Sequence, residues 1–400
     1  MYNNLYMAES RFCITNAKVI DNGVIIPASV FVEDDMIRGV DESSCYSSAG
    51  WEIFDAKGLY LSPGFIDIHV HGGGGSDFMD ASYHAWNNAI NMHLKHGTTS
   101  IVPTTLASDI DTLISALEIF NGNRNKFNSR VLGIHVEGPY ISPKHAGAQD
   151  IRFIRNPDRN EYERILGICP NIIRWTIAPE LPGAMEMGDY LLKRNVLPSI
   201  GHSDATSDVV YKAMFHGYTH ITHLYSAMST IVRKDGFRHA GVIESAYMFD
   251  RLTSEVISDG CHLPPEMLSM VFRLIGSDRV CLVTDAMRAA GENCRESILG
   301  DLKTGQRVII EDGVAKLKDR SAFAGSIATA DRLVRTVTND CGVTLAEAVK
   351  MMTLIPARIL GKEREIGSVK TGYKADLILF DRNINIKLVM VDGKIRYKVV

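Results

Sequence analysis

Histidine and acidic residues stand at the ends of several short apolar runs in this sequence, at corresponding positions from run to run. They are His69, His71, Glu137, His202, His223 and Asp285. Imidazole nitrogens and carboxylate oxygens are ligands of divalent zinc, iron and manganese. Taken singly, a histidine more often hydrogen-bonds a backbone carbonyl, and an aspartate can cap a helix. Because the same residue types recur at corresponding positions, the pattern favours a divalent metal site.

The spacing and charge of these residues support the same interpretation. His69 and His71 are separated by one residue, and alternate side chains of a strand point to the same face, so both imidazoles can reach one ion. Glu137 and Asp285 would repel each other in one apolar site unless a cation compensated their charges. A bound metal can lower the pKa of water towards ~7, which provides a nucleophile for hydrolysis.

These residues belong to a stretch in which apolar runs alternate with helical patterns. The predicted strands are residues 64–70, 100–104, 131–136, 172–177, 197–200, 219–222, 254–257 and 280–284. Apolar strands separated by helices are typical of βα units in a parallel sheet that is buried on both faces. Eight units within about 220 residues predict an α/β protein with a (β/α)8 TIM-like barrel, whose active site lies where the strands end. A doubly wound open sheet is the alternative, although it normally contains fewer strands.

Both ends of the chain have β patterns. The predicted terminal strands are residues 12–20, 24–32, 36–40, 375–381, 387–391 and 395–398. We expect residues 1–62 and 360–400 to pair as a small β-sandwich domain, and residues 63–359 to form the barrel with a β insertion at about 300–325. Helical patterns at 327–339 and 344–355 are expected to pack onto the barrel. The glycines at 72–75 predict a flexible lid beside the metal site.

The composition is that of a large globular enzyme. Of 400 residues, 46% are hydrophobic and 22% charged, which excludes disordered, collagen-like and coiled-coil proteins. The net charge is −4 and there is no polybasic run, so nucleic acid and anionic membranes are not expected partners. The seven cysteines form no C-x-x-C pair, and no apolar run reaches the ~18 residues of a membrane span. We expect a cytoplasmic protein without a signal peptide.

Motifs along nearly the whole chain resemble those of the N-acetylglucosamine-6-phosphate deacetylase family, which is part of the amidohydrolase superfamily. They occupy residues 63–72, 135–140, 178–180, 201–203, 222–225, 258–262, 284–286, 324–326 and 367–376. The His-x-Glu-Gly-Pro and Gly-His-Ser motifs are specific to the family, whereas His-x-His occurs in the superfamily at large. The resemblance implies a hydrolase that removes the acetyl group of an amino-sugar 6-phosphate in amino-sugar catabolism, converting N-acetylglucosamine 6-phosphate to glucosamine 6-phosphate and acetate.

The resemblance also implies the metal ligands. Glu137, His202 and His223 match the family's principal ligands. His69 and His71 match a pair that helps to hold a second ion, bridged by Glu137, in the members that possess it. One or two divalent ions per subunit are therefore expected, with zinc or iron as the metal.

Other matched positions imply catalytic and substrate contacts. Asp285 matches the catalytic carboxylate, and His262 matches a histidine near the reacting amide. The residues expected to bind substrate are Ala148, Gln149, Ser226, Ala227, Arg233, His262, Phe323, Ala324 and Gly325. Arg233 falls where the family has a phosphate-binding arginine, which is often supplied across the interface of a homodimer.

One departure keeps alternative substrates open. Ser226 stands where the family commonly has an asparagine that touches the phosphate, and a hydroxyl offers one donor where an amide offers two. N-acetylgalactosamine 6-phosphate or another N-acyl amino sugar is therefore an alternative substrate. A deaminase or cyclic amidase of the same superfamily is a second alternative. A non-catalytic sugar-phosphate-binding barrel is a third, against which the combination of Glu137, His202, His223 and Asp285 argues.

Overall fold

The N-terminal segment of the protein forms β-strands. The computed structural model describes residues 11–42 and 50–399. Its first strands are β1 (Arg11–Asp21), β2 (Val24–Glu33), β3 (Met36–Asp41), β4 (Glu52–Asp55) and β5 (Tyr60–Pro63). Asn22 and Gly23 connect β1 to β2 with φ angles of 43° and 84°. Positive φ at both positions is the conformation of a tight hairpin turn, and Asn-Gly is its preferred sequence.

The central segment alternates strands with helices. Its strands are β6 (Phe65–Val70), β7 (Gly72–Gly73), β8 (Ser76–Asp77), β9 (Thr98–Pro103), β10 (Arg130–Val131), β11 (Ile134–Glu137), β12 (Ile172–Ile177), β13 (Leu197–Ile200), β14 (His220–Ile221), β15 (Val232–Lys234), β16 (Phe237–His239), β17 (Thr253–Ile257) and β18 (Val280–Val283). The helices are α1 (Tyr83–Lys95), α2 (Ile110–Asn123), α3 (Arg159–Ile168), α4 (Ala184–Leu192), α5 (Ser207–Phe215), α6 (Val242–Met248) and α7 (Pro265–Ile275). The side chains of Ser82, Asp109 and Asp158 accept backbone N–H groups at the starts of α1, α2 and α3, as N-cap residues do.

The central strands form parallel sheets. β10, β9 and β6 pair in that order, and β11, β12, β13, β14, β17 and β18 form a six-stranded sheet in that order. Single parallel bridges join the two sheets: Val70 in β6 pairs with Ala286 after β18, and Thr104 after β9 pairs with His135 in β11. Each predicted apolar run overlaps a strand of this set. The prediction of βα units around a buried parallel sheet is therefore confirmed.

The C-terminal part returns to β-structure after three helices. Its elements are β19 (Glu296–Leu299), β20 (Gln306–Glu311), β21 (Val314–Leu317), α8 (Ala330–Asp340), α9 (Leu345–Met352), α10 (Leu354–Ile359), β22 (Leu377–Phe380), β23 (Ile386–Val391) and β24 (Lys394–Lys398). β19, β20 and β21 form the predicted insertion as a small antiparallel sheet. Within the described residues, no helix has the length and apolar character needed to cross a membrane.

The terminal strands of the described residues are joined in one sheet. β5 pairs antiparallel with β22 and parallel with β1, so hydrogen bonds continue without a break from one end of the chain to the other. A bridge between Met36 and Lys374 brings the far edge of the sheet back to the chain that precedes β22. The sheet encloses its own apolar core, in which Ile14 and Val30 pack with Leu377 and Leu388.

The glycines after β6 do not form the predicted flexible lid, because backbone hydrogen bonds anchor them. The backbone amides of Gly72, Gly74 and Gly75 donate to the carbonyl oxygens of residues 286, 290 and 288 at 2.9, 2.7 and 3.0 Å. A Cβ atom on Gly72 would lie 2.3 Å from the carbonyl oxygen of Ser76. The glycines therefore allow two backbone segments to pack closely, and the segment is anchored beside the strand ends.

Candidate metal-dependent active site

The ends of the parallel strands bring distant imidazoles to one carboxylate. Glu137 is the last residue of β11, and His202 and His223 follow β13 and β14 closely. Oε1 of Glu137 lies 3.0 Å from Nε2 of His223 and 3.3 Å from Nε2 of His202. Parallel strands end at the same edge of their sheet, which explains why residues far apart in sequence meet here.

A second group of side chains also meets at Glu137. Nε2 of His71 lies 3.3 Å from Oε2 of Glu137 and 3.2 Å from Oδ1 of Asp285. Nε2 of His69 lies 3.5 Å from Oε1 of Glu137 and 3.5 Å from Oδ1 of Asp285. His69 and His71 point to the same side, as their alternation along β6 predicts. The structure therefore brings together all six residues of the recurring histidine and acid pattern: His69, His71, Glu137, His202, His223 and Asp285.

The donor atoms fit a divalent metal. In the group His69, His71 and Glu137, and in the group Glu137, His202 and His223, all ligand atoms lie within 4.8 Å of one another. All of these residues are buried. Buried imidazole and carboxylate groups are a donor set for zinc, iron or manganese, and Glu137 is common to both groups. The residues present can thus hold one ion or two.

The carboxylates of Glu137 and Asp285 are buried close together and need a compensating positive charge. Burial would raise the pKa of Glu137, but the surrounding imidazoles of His69, His202 and His223 hold it well below its ordinary value. Burial would lower the pKa of His71, whereas Asp285 and Glu137 raise it to about 9. Within the protein alone, the raised pKa values of His69 and His71 allow these two imidazoles to carry the compensating positive charge. A divalent cation would supply that charge and leave the imidazoles neutral, as metal ligands must be.

Three of these residues have a strained backbone. The φ angles of His202, His223 and Asp285 are 48°, 27° and 46°. Non-glycine residues rarely adopt this left-handed region, at a cost of about 1–3 kcal/mol each, and such residues cluster at functional sites. Gly325 packs against the same turn with φ of 77°, and a Cβ atom there would lie 3.0 Å from the carbonyl oxygen of Asp285. Glycine is therefore required at this position.

His262 is held beside the cavity by Asp259. Nδ1 of His262 lies 2.8 Å from Oδ2 of Asp259, and the backbone N–H of His262 donates to Oδ1 of the same carboxylate at 2.9 Å. Burial would raise the pKa of Asp259, but its bonds to His262 lower it below the ordinary value. With Nδ1 engaged, Nε2 is the ring nitrogen left for a ligand.

A cavity of about 370 Å³ opens onto the metal-binding groups. Its lining residues are His71, Leu106, Glu137, Lys144, His145, Gly147, Ala148, Gln149, His202, His223, Tyr225, Ser226, Ala227, His262, Asp285, Leu299, Ala322, Phe323 and Gly325. Most of the residues expected to bind substrate are among them. Its volume is within the usual range of small-molecule sites.

Comparison with known proteins places this site in a family. A model of the amidohydrolase family matches residues 60–396. This chain belongs to the amidohydrolase family.

Individual relatives of this amidohydrolase cover most of its length. The N-acetylglucosamine-6-phosphate deacetylase of Lysinibacillus sphaericus is 35% identical, over 87% of this chain and 88% of the relative. The N-acetylgalactosamine-6-phosphate deacetylase of Escherichia coli O157:H7 is 30% identical, over 84% of this chain and 87% of the relative. A mutant N-acetyl-D-glucosamine-6-phosphate deacetylase from Mycobacterium smegmatis, solved in complex with N-acetyl-D-glucosamine-6-phosphate, has a TM-score of 0.88 at 29% identity, covering 96% of this chain and 99% of that one. The resemblance found in the sequence is confirmed.

Two predicted substrate residues of the amidohydrolase do not line this cavity. Arg233 lies on the exposed hairpin of β15 and β16, where its Nε donates a long hydrogen bond of 3.4 Å to the carbonyl oxygen of Gly236. Ala324 is fully buried in a neighbouring apolar cluster with Met287 and Leu299. Sequence similarity aligned these positions with a site but could not give the direction of their side chains.

Several residues around the metal-binding groups were missed, or given another role, by the sequence analysis. Gln149, expected to contact substrate, donates from Nε2 to Oε2 of Glu137 at 2.7 Å. Asp67, Arg174 and Glu255 are fully buried within apolar strands. A charged residue inside an apolar strand is the signal that could have found them, because such a charge must be paired.

One further group of potential ligands is not assigned to a metal. His220, Glu255 and Cys281 have donor atoms within 4.8 Å of one another. However, Glu255 already forms an ion pair with the guanidinium of Arg174. Burial, together with Glu255, raises the pKa of the Cys281 thiol well above its ordinary value, so the thiol stays protonated. A cation there would face an arginine and a neutral thiol.

Proposed function

We propose that this amidohydrolase removes the acetyl group from an N-acetylated amino-sugar 6-phosphate, with N-acetylglucosamine 6-phosphate as the substrate. The observation that carries the proposal is the convergence of both histidine groups on Glu137, beside Asp285, at the base of a cavity. The names of the relatives support the choice of substrate. The reaction consumes water, breaks the amide C–N bond and yields acetate and a free amine.

Zinc or iron is the proposed metal, in one or two ions. Glu137, His202 and His223 would hold one ion, and His69 and His71 would hold a second with Glu137. When bound, a divalent metal lowers the pKa of water and polarises the acyl carbonyl.

Asp285 is proposed to move the proton. Its carboxylate is exposed to the cavity, and Oδ1 lies 3.2 Å from Nε2 of His71. Asp285 would accept a proton from the attacking water and then deliver it to the leaving nitrogen, which must be protonated to depart as an amine. The closely packed Gly325 and the strained backbone of Asp285 fix the position of this carboxylate.

His262 is proposed to bind the acyl oxygen. The carboxylate of Asp259 accepts a hydrogen bond from its Nδ1. In the imidazolium form, Nε2 would donate a second hydrogen bond to the oxygen, where negative charge develops as water adds to the carbonyl carbon. The ring of Phe323 packs edge-on against His262 at 4.9 Å between centroids and restricts its rotation.

The phosphate is proposed to be bound by Arg233 of a second copy of this chain. Among the cavity residues, Lys144 and His145 both contact the carboxylate of Asp204, at 2.6 and 3.3 Å, so a phosphate would have to compete with Asp204 for them. Arg233 has no ion pair among the described residues and lies on a hairpin whose Phe237 is 74% exposed. A homodimer that buries this hairpin would bring a guanidinium, which binds phosphate with two parallel hydrogen bonds, to the cavity of the other subunit.

The architecture is proposed to be a closed (β/α)8 barrel spanning residues 63–359, with a small β domain formed by residues 1–62 and 360–400. The two parallel bridges between the sheets support closure of the barrel. The separate apolar core of the terminal sheet supports the second domain. We keep the cytoplasm as the proposed location.

N-acetylgalactosamine 6-phosphate is a second candidate substrate. Ser226, which departs from the family pattern, lines the cavity. A shorter hydroxyl leaves more room beside the sugar than an asparagine amide, and this change can alter the selection between epimers. The similarity to the Escherichia coli enzyme of that name supports the same candidate.

An acetate-release assay tests the proposal. The substrates are N-acetylglucosamine and N-acetylgalactosamine, each with and without a 6-phosphate. We expect acetate from a phosphorylated sugar, and the preferred epimer identifies the substrate. Ammonia as the product would indicate a deaminase, and the absence of turnover on all four compounds would contradict the proposed function.

A further inference from the structure

A buried ion pair lies next to the imidazole groups. Arg174 in β12 and Glu255 in β17 are both fully buried, and Nη1 of Arg174 donates to Oε1 of Glu255. Arg174 also donates to the carbonyl oxygen of Ile68 at 3.2 Å and to Oγ1 of Thr222 at 2.8 Å. Ile68 and Thr222 directly precede His69 and His223. The guanidinium thus holds the carboxylate and the ends of two ligand-bearing strands together.

The second oxygen of Glu255 reaches a residue of each metal-binding group, but in different ways. Oε2 accepts from Nδ1 of His69 at 3.0 Å and from the backbone N–H of His223 at 3.1 Å. A neutral imidazole carries one N–H, so a proton on Nδ1 leaves the lone pair of Nε2 for an ion. For His69 the contact determines which nitrogen can ligate. For His223 it involves only the backbone.

We propose that Glu255 is a positioning residue that fixes the tautomer and ring orientation of His69, and thereby sets the affinity for the second ion. The inference rests on the proposed metal role of His69 and His71. Nδ1 of His202, by contrast, bonds the carbonyl oxygen of His145 at 2.8 Å, so the first group does not depend on Glu255 for a side-chain contact. Loss of a carboxylate that orients a ligating histidine lowers metal affinity on the order of 10–100-fold.

Titration of the chelator-stripped, full-length protein with Zn²⁺ tests this proposal. We expect the wild type to bind two equivalents, and Glu255→Gln to weaken the second on the order of 10–100-fold with a much smaller effect on the first. Ser199→Ala is the matched control, because the hydroxyl of Ser199 accepts from Nε of Arg174 at 3.0 Å and, among the described residues, forms no hydrogen bond with a proposed ligand. This variant should bind both equivalents as the wild type does.

Two further measurements keep the proposal testable if Glu255→Gln fails to fold. Glu255→Asp retains the charge opposite Arg174 but shortens the side chain, and it should also weaken the second equivalent. In the zinc-loaded wild type, the ¹⁵N shifts of the His69 ring should show the proton on Nδ1. A proton on Nε2, equal weakening of both equivalents, unchanged binding in both variants, or a wild type that binds one equivalent would each overturn the inference. If only the inference about Glu255 is wrong, the protein still releases acetate. If the proposed function is wrong, the protein binds zinc but releases no acetate.

Discussion

The side-chain amide of Gln149 donates a 2.7 Å hydrogen bond to Oε2 of Glu137. Oε1 of Gln149 accepts the backbone N–H of Ala107 at 2.8 Å, which fixes the orientation of the amide. A residue that similarity assigned to the substrate thus orients the carboxylate common to both metal-binding groups. Oε2 of Glu137 has two lone pairs, and the amide occupies one of them.

Gln149→Leu should therefore lower metal affinity on the order of tenfold or more, because Glu137 loses the bond that fixes its rotamer. Zinc titration of the purified variant measures the effect. Gln306→Leu is the matched control, since the amide of Gln306 bonds the backbone oxygen of Ala148 and not Glu137. Equal zinc affinity in the wild type and Gln149→Leu would refute the positioning role of Gln149.

Asp285→Asn should retain metal and lose turnover. An amide cannot accept and return a proton, so kcat should fall on the order of 10²–10⁴-fold. Metal analysis and acetate-release kinetics on the same preparation separate the two properties. Asp189→Asn changes a partly exposed carboxylate paired with His216, and serves as the control with normal turnover. Wild-type kcat in Asp285→Asn would dismiss the proposed proton transfer.

Arg233→Ala should raise KM for the phosphorylated sugar on the order of tenfold or more and leave KM for the unphosphorylated sugar unchanged, because a charge-assisted pair with phosphate is lost. Steady-state kinetics on both sugars measures this difference. Lys234→Ala is the control, since neighbouring side chains of a strand point to opposite faces. If Arg233→Ala alters both KM values alike, the phosphate assignment is wrong.

The positions of the ligands could be predicted because they follow from the order of strands. His69, Glu137, His202, His223 and Asp285 each lie at or just after the end of an apolar run, and parallel strands end at one face. Their convergence therefore required only the recognition of βα units. The turn at Asn22 and Gly23 was likewise local and could be predicted from its sequence.

The contacts that orient the ligands could not be predicted because they depend on the register between strands. Glu255 meets His69 and Arg174 across three strands that are distant in sequence. A sequence shows that these charges lie inside apolar runs, but not which of them face each other. The position of Arg233 relative to the cavity could not be predicted for a related reason, since its proposed role requires a second subunit that similarity alone does not position.

Asp331 provides a test of the electrostatics away from the site. Burial would raise its pKa, but bonds to His96, Thr329 and Arg335 hold it at about 2. An unfolded aspartate titrates at about 3.9, so the unfolded state binds more protons in acid. The stabilisation is therefore complete above about pH 5 and is lost as the pH falls through ~4 towards ~2.

Asp331→Asn should lower the free energy of unfolding by about 2 kcal/mol at pH 7 and by roughly half as much at pH 3. Urea denaturation at both pH values measures the difference from the wild type. Asp340→Asn, at the exposed opposite end of α8, should have little effect at either pH. If the loss of unfolding free energy in Asp331→Asn were as large at pH 3 as at pH 7, the assigned pKa would be contradicted.

Joint quantification of acetate and free amine tests most directly whether this convergence of imidazoles and acids hydrolyses an N-acetyl group. The zinc-loaded protein is incubated with N-acetylglucosamine 6-phosphate and its galacto epimer, before and after removal of metal by a chelator. We predict acetate and the amino-sugar 6-phosphate in equal amounts from at least one epimer, loss of both products on chelation, and recovery when zinc is restored. Full activity in the metal-free protein, or no acetate from either epimer with both metal-binding groups loaded, would contradict the account.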